Sequence, residues 1–197
     1  MRTHGLRFDV NCSILFTELP VLARPTAARA AGFDAVEFRW PFEERVPSDT
    51  EADAFVAAIA DAGVELVSLN FHAGDMAAEE RGLVSVPAAT GAFRQNIGAC
   101  VEIARRTGCR RLNAAYGNRL DGVDPAEQDA VAIENLTLAA AAAAAIGASV
   151  PVEAINSVDA PTFPVDSSEA AITGPGLPRA KGRAGAWTEE RGSEARE

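Results

Sequence analysis

The sequence predicts a parallel α/β protein, a partial (β/α) TIM-type barrel of about five strand–helix units with a disordered C-terminal tail. Short strand-like segments alternate with longer helical ones, the pattern of parallel strands joined by right-handed crossovers. A polar residue stands at the C-terminal end of every readable strand, where barrel enzymes carry their functional groups. The chain has 197 residues, whereas a complete barrel typically has ~250.

The first half of the chain yields three predicted strands, at residues 6–12, 34–40 and 64–70. The first helix, predicted at residues 18–31, contains Pro25. An interior proline costs ~3 kcal/mol, so we expect either a broken helix or a late start at Pro25. The second helix opens with a capping box, Ser48 as N-cap and Glu51 at N3, and ends at Gly63.

Two further strand–helix units follow a long loop at residues 71–89, and loops of that length are often functional. A helix is predicted at residues 90–107, a strand at 110–115, a helix from Asp124 to about Gly147 and a fifth strand at 149–155. The pattern leaves open whether the strands close into a barrel or form an open sheet. Because no Gly-rich phosphate loop follows the first strand, the pattern counts against a Rossmann fold.

Composition and charge exclude several classes of partner. The formal net charge is −10 and the isoelectric point about 4.7, which disfavours nucleic-acid and anionic-membrane partners. The longest apolar stretch, residues 136–146, is about half a membrane span. Three cysteines without a C-x-x-C pair predict reduced, buried thiols. We therefore predict a cytoplasmic protein with neither nucleic acid nor membrane as a partner.

The end of the chain differs in composition from the rest. Residues 173–197 contain no hydrophobic run and are rich in Gly, Arg and Glu, which is typical of disorder. We expect one incomplete barrel domain at 1–172 and a disordered tail at 173–197, whose abrupt start is consistent with a shifted reading frame. An open sheet would leave its edge strands unpaired, so we also expect poor solubility or association into a homo-oligomer.

Several segments resemble one known family. Residues 70–82, N-F-H-A-G-D-M-A-A-E-E-R-G, resemble the N-x-x-A-G-D-x-A-A-G-x-R-G loop of hydroxypyruvate isomerase-like proteins of the xylose isomerase-type barrel superfamily. E-N-L at 134–136 and V-E-A-I-N at 152–156 resemble that family's helix-four E-N-L and fifth-strand E-P-[IV]-N. The resemblance extends from about residue 7 to residue 172; Glu79 and Ala154 depart from it, replacing a glycine and a proline.

The resemblance implies a metal-dependent aldose–ketose isomerase, an intramolecular oxidoreductase that interconverts hydroxypyruvate and tartronate semialdehyde through an enediolate. A carboxylate can move the proton if a divalent ion stabilises the enediolate, and Mg²⁺ or Mn²⁺ prefers oxygen ligands. The resemblance makes Glu153 the expected catalytic residue and metal ligand. The substrate is expected to be a small hydroxy-keto acid. The expected substrate-binding residues are Asn70, His72, Arg81 and Asn156.

Structural roles remain open for these residues. His72 could be a hydrogen-bonded loop histidine, and Arg81 could pair with Asp75 or Glu79 rather than with a substrate carboxylate. The asparagines at strand ends, Asn156 among them, could bind substrate or fix loop backbones. Glu37 could orient groups in an active site or cap an exposed strand end.

Three other functions also stay open. The first is a 2-oxo-tetronate isomerase, which belongs to a close subgroup of the same family. The second is a catalytically inactive, truncated isomerase, because later family strands bring an aspartate, a histidine or glutamine and a second glutamate that have no counterpart here. The third is a metal-dependent DNA-repair nuclease, which needs several histidines and a basic face, whereas this chain has two histidines.

Overall fold

The computed structural model describes residues 7–75, 78 and 80–173. Within them, one parallel sheet contains β1 (Val10–Asn11), β2 (Ala35–Phe38), β3 (Glu65–Asn70) and β4 (Leu112–Asn113), in sequence order. Sequential parallel strands, each separated from the next by a helical connection, are the arrangement of a (β/α) barrel. The predicted fold class is therefore confirmed.

A fifth extended segment, residues 149–155, lies beside β4 and is joined to it by two isolated bridges. The backbone N–H groups of Leu112 and Ala114 donate to the carbonyls of Ser149 and Pro151. Pro151 has no N–H to donate in return, so the ladder does not continue as a regular strand. The predicted fifth strand is thus present in position, but a proline reduces it to bridges.

The helices form a layer against this sheet. Their bounds are α1 (Arg24–Ala30), α2 (Asp49–Ala62), α3 (Thr90–Thr107), α4 (Pro125–Ala144) and a short α5 (Ser168–Thr173). Short 3-10 turns precede α1 at Val21–Ala23 and α3 at Pro87–Ala89. Consecutive helices pack on each other, α1 on α2, α2 on α3 and α3 on α4. The helix predicted at residues 90–107 is confirmed at both ends.

The starts of the helices follow local signals in the sequence. Pro25 lies in the first turn of α1, so the predicted late start is confirmed. Ser48 and Glu51 form the predicted capping box on α2. At the start of α4, the side chain of Asp124 accepts a hydrogen bond from the N–H of Ala126. The side chains of Ser48 and Asp124 each accept a hydrogen bond from an N–H group that a helix start leaves unpaired.

The apolar core lies between the helices and one face of the sheet. Phe38 of β2 packs edge-on against Phe55 of α2, with ring centroids 5.2 Å apart. Phe71, directly after β3, packs in the same way against Phe93 of α3, with centroids 5.4 Å apart. These contacts identify the helix-facing side of β2 and of the end of β3.

An irregularity in β3 changes which of its side chains face the helices. Pairing advances by one residue along β2 but from Leu66 to Ser68 along β3, so Val67 is an extra residue and forms a β-bulge. The bulge shifts the alternation, and Leu66 and Leu69 are consequently both buried although they are three residues apart. Ser68 is instead aligned with Glu37.

The cysteines are free and buried, as predicted. Burial raises the pKa of Cys12, Cys100 and Cys109, so all three thiols stay protonated near neutral pH. Over residues 7–75, 78 and 80–173, no helix combines the length and apolar character that a bilayer crossing requires. Thr173 closes α5, and the rest of the predicted tail, residues 174–197, lies outside the described residues.

Candidate active site

Polar side chains occupy the sheet face opposite the helices, at the C-terminal ends of the strands. Because Phe38 packs on α2, its neighbour Glu37 projects to the other face. Residues paired across adjacent strands project to the same side, so the register extends this face across the sheet. We call it the inner face, and it consists of Asn11, Glu37, Ser68, Asn70 and Asn113.

Glu153, the predicted catalytic residue, is held beside the inner face by Asn113. The Nδ2 group of Asn113 donates to Oε2 of Glu153 over 2.7 Å. Asn113 is half-buried and Glu153 is exposed, so a strand residue positions a carboxylate that remains open to solvent. Asn70 pairs in register with Asn113 and is half-buried on the same face. The structure therefore brings Asn70 and Glu153 to the same Asn113.

A second glutamate, Glu37, is held in the same way by Asn11. The Nδ2 group of Asn11 donates to Oε1 of Glu37 over 2.7 Å. Its Oδ1 atom accepts from the N–H of Ser13 over 2.9 Å. Both ends of the amide are thus engaged, which fixes its orientation and with it one oxygen of Glu37.

The charge of Glu37 is placed unfavourably. Burial is the main cause that raises the pKa of its carboxyl, and the hydrogen bond from Asn11 opposes the rise. The charges of Asp9 and Glu153 raise this pKa further, and Arg39 lowers it. The effect of Glu153 means that two carboxylates interact across the inner face. Perturbed carboxyl groups of this kind are concentrated at functional sites.

His72 lies two residues beyond β3 and is bound into the following loop. Its backbone N–H donates to Oδ1 of Asn96 over 2.9 Å, and its Nδ1 accepts from the N–H of Gly74 over 3.2 Å. Burial lowers the pKa of His72, and the charge of Arg45 lowers it further. The imidazole is therefore neutral near pH 7, with its proton on Nε2, which leaves that atom as the donor for a ligand.

Arg81 and Asn156 have local partners. The guanidinium of Arg81 donates to the carbonyl of Glu80 in the same loop. The Oδ1 atom of Asn156 accepts from the N–H groups of Val158 and Asp159, while its Nδ2 donates to the Asp159 carboxylate. Asn156 therefore fixes the turn after the fifth segment, the loop-fixing alternative raised by the sequence. Substrate binding by these two residues stays a prediction.

Sequence reasoning missed three buried polar residues that hold the loops around the site. Asn135 of the E-N-L motif donates to the carbonyl of Val84 over 2.9 Å and accepts from Nε of Arg94 over 2.8 Å. Asn96 and Gln128 also donate to loop carbonyls. All three are fully buried on their helices. A polar residue within an apolar helix stripe was the signal available, because such a group requires a partner.

The predicted divalent metal has an incomplete set of ligands in this part of the molecule. Among the described residues, no three His, Cys, Asp or Glu side chains are grouped so that they could hold an ion. Mg²⁺ requires near-octahedral oxygen ligation. The group bonded to Glu153 is an Asn113 amide N–H, which donates and cannot ligate. These residues therefore do not by themselves fit the predicted metal site.

A parallel sheet with helices on one face and polar side chains at the C-terminal ends of its strands is the arrangement seen in part of a TIM-barrel enzyme. Residues 25–172 match the family model described as Xylose isomerase-like TIM barrel, and the chain belongs to this family. The resemblance identified from the motifs is thereby confirmed.

Two curated relatives show how much of the family's length is represented. A Streptomyces coelicolor protein provisionally named hydroxypyruvate isomerase is 54% identical over 168 residues, which is 84% of this chain and 60% of the relative. A 2-oxo-tetronate isomerase of Cupriavidus necator is 39% identical over 158 residues, which is 80% of this chain and 58% of the relative. The chain therefore spans about three fifths of the length of these relatives.

Solved structures give the same picture of the fold. AP endonuclease, family 2, from Brucella melitensis is 33% identical with a TM-score of 0.68, and the match covers 80% of this chain and 58% of that chain. A Xylose isomerase-like TIM barrel protein from Mycobacterium smegmatis in complex with magnesium is 16% identical with a TM-score of 0.55, covering 77% and 56%. At 16% identity, the similarity to the Mycobacterium smegmatis protein shows a shared fold and nothing more.

Proposed function

We propose that this chain carries the isomerase chemistry of its family and acts on a small hydroxy-keto acid, with hydroxypyruvate as the first candidate substrate. The observation that carries the proposal is the hydrogen bond from Asn113 to Glu153, which presents a carboxylate at the C-terminal end of the inner face. Relatives named for hydroxypyruvate and 2-oxo-tetronate isomerisation support the reaction class. They also keep a 2-oxo-tetronate as the second candidate substrate.

The reaction moves a carbonyl group by one carbon. A base removes a proton from C3 of hydroxypyruvate, which forms an enediolate over C2 and C3. The proton returns to C2 while the hydroxyl proton moves from the C3 oxygen to the C2 oxygen, and tartronate semialdehyde results without gain or loss of atoms. Glu153 is the proposed base, and a positioned side chain contributes typically ~10²–10⁴-fold to such a step.

The remaining predicted residues are proposed to bind the substrate. Asn70 lies beside the Asn113–Glu153 pair, and Nε2 of neutral His72 can donate a hydrogen bond. Arg81 carries a guanidinium suited to a substrate carboxylate. Asn156 lies three residues after Glu153, in the turn that its own side chain fixes. We further propose Mg²⁺ or Mn²⁺ as cofactor with Glu153 as one ligand, a cytoplasmic location and a homo-oligomeric state.

A nuclease is the other candidate, because the Brucella relative is named AP endonuclease. Nucleic-acid binding requires clustered positive charge. This chain has a net charge of −10 and two histidines. Charge and composition therefore favour the isomerase.

Deuterium exchange tests the isomerase proposal with the full chain. Hydroxypyruvate is incubated in D₂O with Mg²⁺ or Mn²⁺, and NMR follows exchange at C3 and the appearance of tartronate semialdehyde. We expect exchange above the buffer rate, reduced by about 100-fold or more in Glu153→Gln. Glu134→Gln, an exposed glutamate on α4, is the matched control and should retain the wild-type rate. Wild-type exchange at the buffer rate, or unchanged exchange in Glu153→Gln, would refute the proposal.

Titration calorimetry tests the proposed cofactor separately. Micromolar Mn²⁺ binding by the wild-type chain that Glu153→Gln abolishes would support the proposed cofactor, because that substitution removes a carboxylate ligand. Absence of binding to the wild type would mean that Glu153 holds no cation in this chain.

A further inference from the structure

Glu37 is an inner-face carboxylate to which the proposed mechanism assigns no task. Asn11 holds its Oε1 atom, and the N–H of Ser13 holds Asn11. The hydroxyl of Ser13 in turn accepts from the N–H of Arg39 over 2.9 Å. These contacts link β1, its following loop and the end of β2 around the carboxylate. The position of Glu37 is therefore fixed in advance of any ligand.

A structural role would not require the negative charge of Glu37. A glutamine would still accept the hydrogen bond from Asn11 and would avoid both desolvation and repulsion from Asp9 and Glu153. The pKa of Glu37 is raised mainly by this desolvation and further by the charges of Asp9 and Glu153. Carboxyl groups whose ionised form is disfavoured by their surroundings are concentrated at functional sites.

The chemistry of an ionised carboxylate selects one part of a hydroxy-keto acid. It accepts hydrogen bonds and cannot donate them, so it binds a hydroxyl group and repels the carboxylate at the other end of the substrate. Because Asn11 engages Oε1, Oε2 is the atom left for a ligand. Glu37 lies on the same inner face as Asn113, the residue that holds Glu153, so both carboxylates border this face.

We propose that Glu37, positioned by Asn11, accepts a hydrogen bond from the substrate hydroxyl and thereby orients the hydroxyl-bearing carbon on the inner face. This inference rests on the proposed function, since it requires a hydroxy-keto acid ligand. It assigns selectivity for the hydroxyl to Glu37 and leaves proton transfer to Glu153.

Hydroxypyruvate and pyruvate form a matched pair of ligands, because they differ only in the hydroxyl. A hydrogen bond to a charged group changes affinity by about 10- to 100-fold, so the wild type should bind hydroxypyruvate tighter than pyruvate by that factor. In Glu37→Gln, Asn11 holds the amide oxygen and the NH₂ group faces the ligand. That group cannot accept the hydroxyl proton and can only donate to the hydroxyl oxygen, which is a weaker, uncharged hydrogen bond, so the ratio of affinities should fall towards 1.

Titration calorimetry on the full chain, with and without Mg²⁺, measures these ratios. Glu37→Asp keeps the charge but withdraws it by one methylene, so it should give an intermediate ratio. Asp9→Asn is the matched control, since it removes a charge that acts on Glu37 from an exposed position. It should keep the wild-type ratio. Circular dichroism and thermal unfolding verify that each variant is folded.

The outcomes separate this inference from the function on which it rests. Loss of the preference in Glu37→Gln, with the preference kept in Asp9→Asn, supports the inference. A preference kept in Glu37→Gln, or no preference in the wild type, overturns the role of Glu37 while leaving hydroxy-keto acid binding intact. A wild type that binds neither acid overturns the inference together with the proposed function.

Discussion

At the scale of single residues, the site depends on two hydrogen bonds from asparagine to glutamate. Asn11 donates to Glu37 from the neighbouring strand, and Asn113 of β4 donates to Glu153 of the fifth segment, each over 2.7 Å. The partners are 26 and 40 residues apart in sequence. Strand register, not local sequence, therefore decides which amide holds which carboxylate.

Glu37→Gln should remove part of the pH dependence of stability. The pKa of Glu37 is raised in the folded protein above 4.5, its ordinary value, so the folded protein retains this proton where the unfolded chain has lost it. The stabilisation is present below the unfolded pKa and is lost as the pH rises through the folded pKa. Urea unfolding at about pH 4 and about pH 7 should show the stability of wild type relative to variant declining with pH. An equal difference at both pH values would contradict this.

Gly82 closes the 70–82 motif at a position that excludes any side chain. Its φ is +129°, and a Cβ there would lie 2.0 Å from the carbonyl oxygen of Ala115. We expect Gly82→Ala to lower the free energy of unfolding by about 3 kcal/mol or more. Gly98→Ala, in the open middle of α3, should raise it by about 0.5–1 kcal/mol. Denaturant unfolding compares the two, and similar effects would be evidence against the close approach.

At the scale of elements, α4 is hydrogen-bonded to the loop that leads from β3 to α3. Asn135 binds the carbonyl of Val84 in that loop, and its neighbour Glu134 forms an ion pair with Arg94 at the surface. A helix that packs beside α3 thus also fixes the loop that carries two predicted substrate-binding residues. The asparagine of the E-N-L motif thus has a structural role in this chain.

Truncation of Asn135 should therefore destabilise the protein far more than truncation of Glu134. Asn135→Ala leaves a buried carbonyl and a guanidinium N–H without their partner, which costs about 2 kcal/mol. Glu134→Ala removes an exposed ion pair and should change stability by about 0.5 kcal/mol or less. Urea unfolding of both variants provides the measurement. Equal losses would show that the buried bond is not the stabilising contact.

At the scale of the whole molecule, the described residues form an open sheet. Within them β1 pairs with β2 alone, and apolar side chains near β1 are more than half exposed: Phe8 at 57%, Ile14 at 56% and Leu15 at 51%. An exposed sheet edge beside apolar side chains favours association. This supports the proposed homo-oligomer.

Light scattering should show that the average mass of the full chain rises with protein concentration. Ile14→Lys combined with Leu15→Lys should reduce that rise, because charge on an exposed apolar surface opposes contact between chains. Ala140→Lys, at an exposed position on α4, is the matched control and should leave the rise in mass unchanged. A monomer at every concentration would contradict the prediction.

Local signals predicted the helices well and the sheet less completely. Ser48 and Glu51 start α2, and Pro25 delays α1, because capping and proline geometry act over a few residues. The bulge at Val67 and the missing N–H of Pro151 in the ladder concern pairing between strands. Patterns of single strands do not contain that information.

The sequence by itself determined the order of strands and helices, the family, and Glu153 as the candidate catalytic group. The order of elements follows from local periodicity and capping residues, whereas the family and the role expected of Glu153 follow from the resemblance of short motifs to known ones. Only the tertiary structure decided that Asn113 holds Glu153, that Glu37 shares its face and that Asn156 is engaged in its own turn. The physical reason is that register and packing join residues far apart in the chain, and their geometry exists only once the sheet has formed.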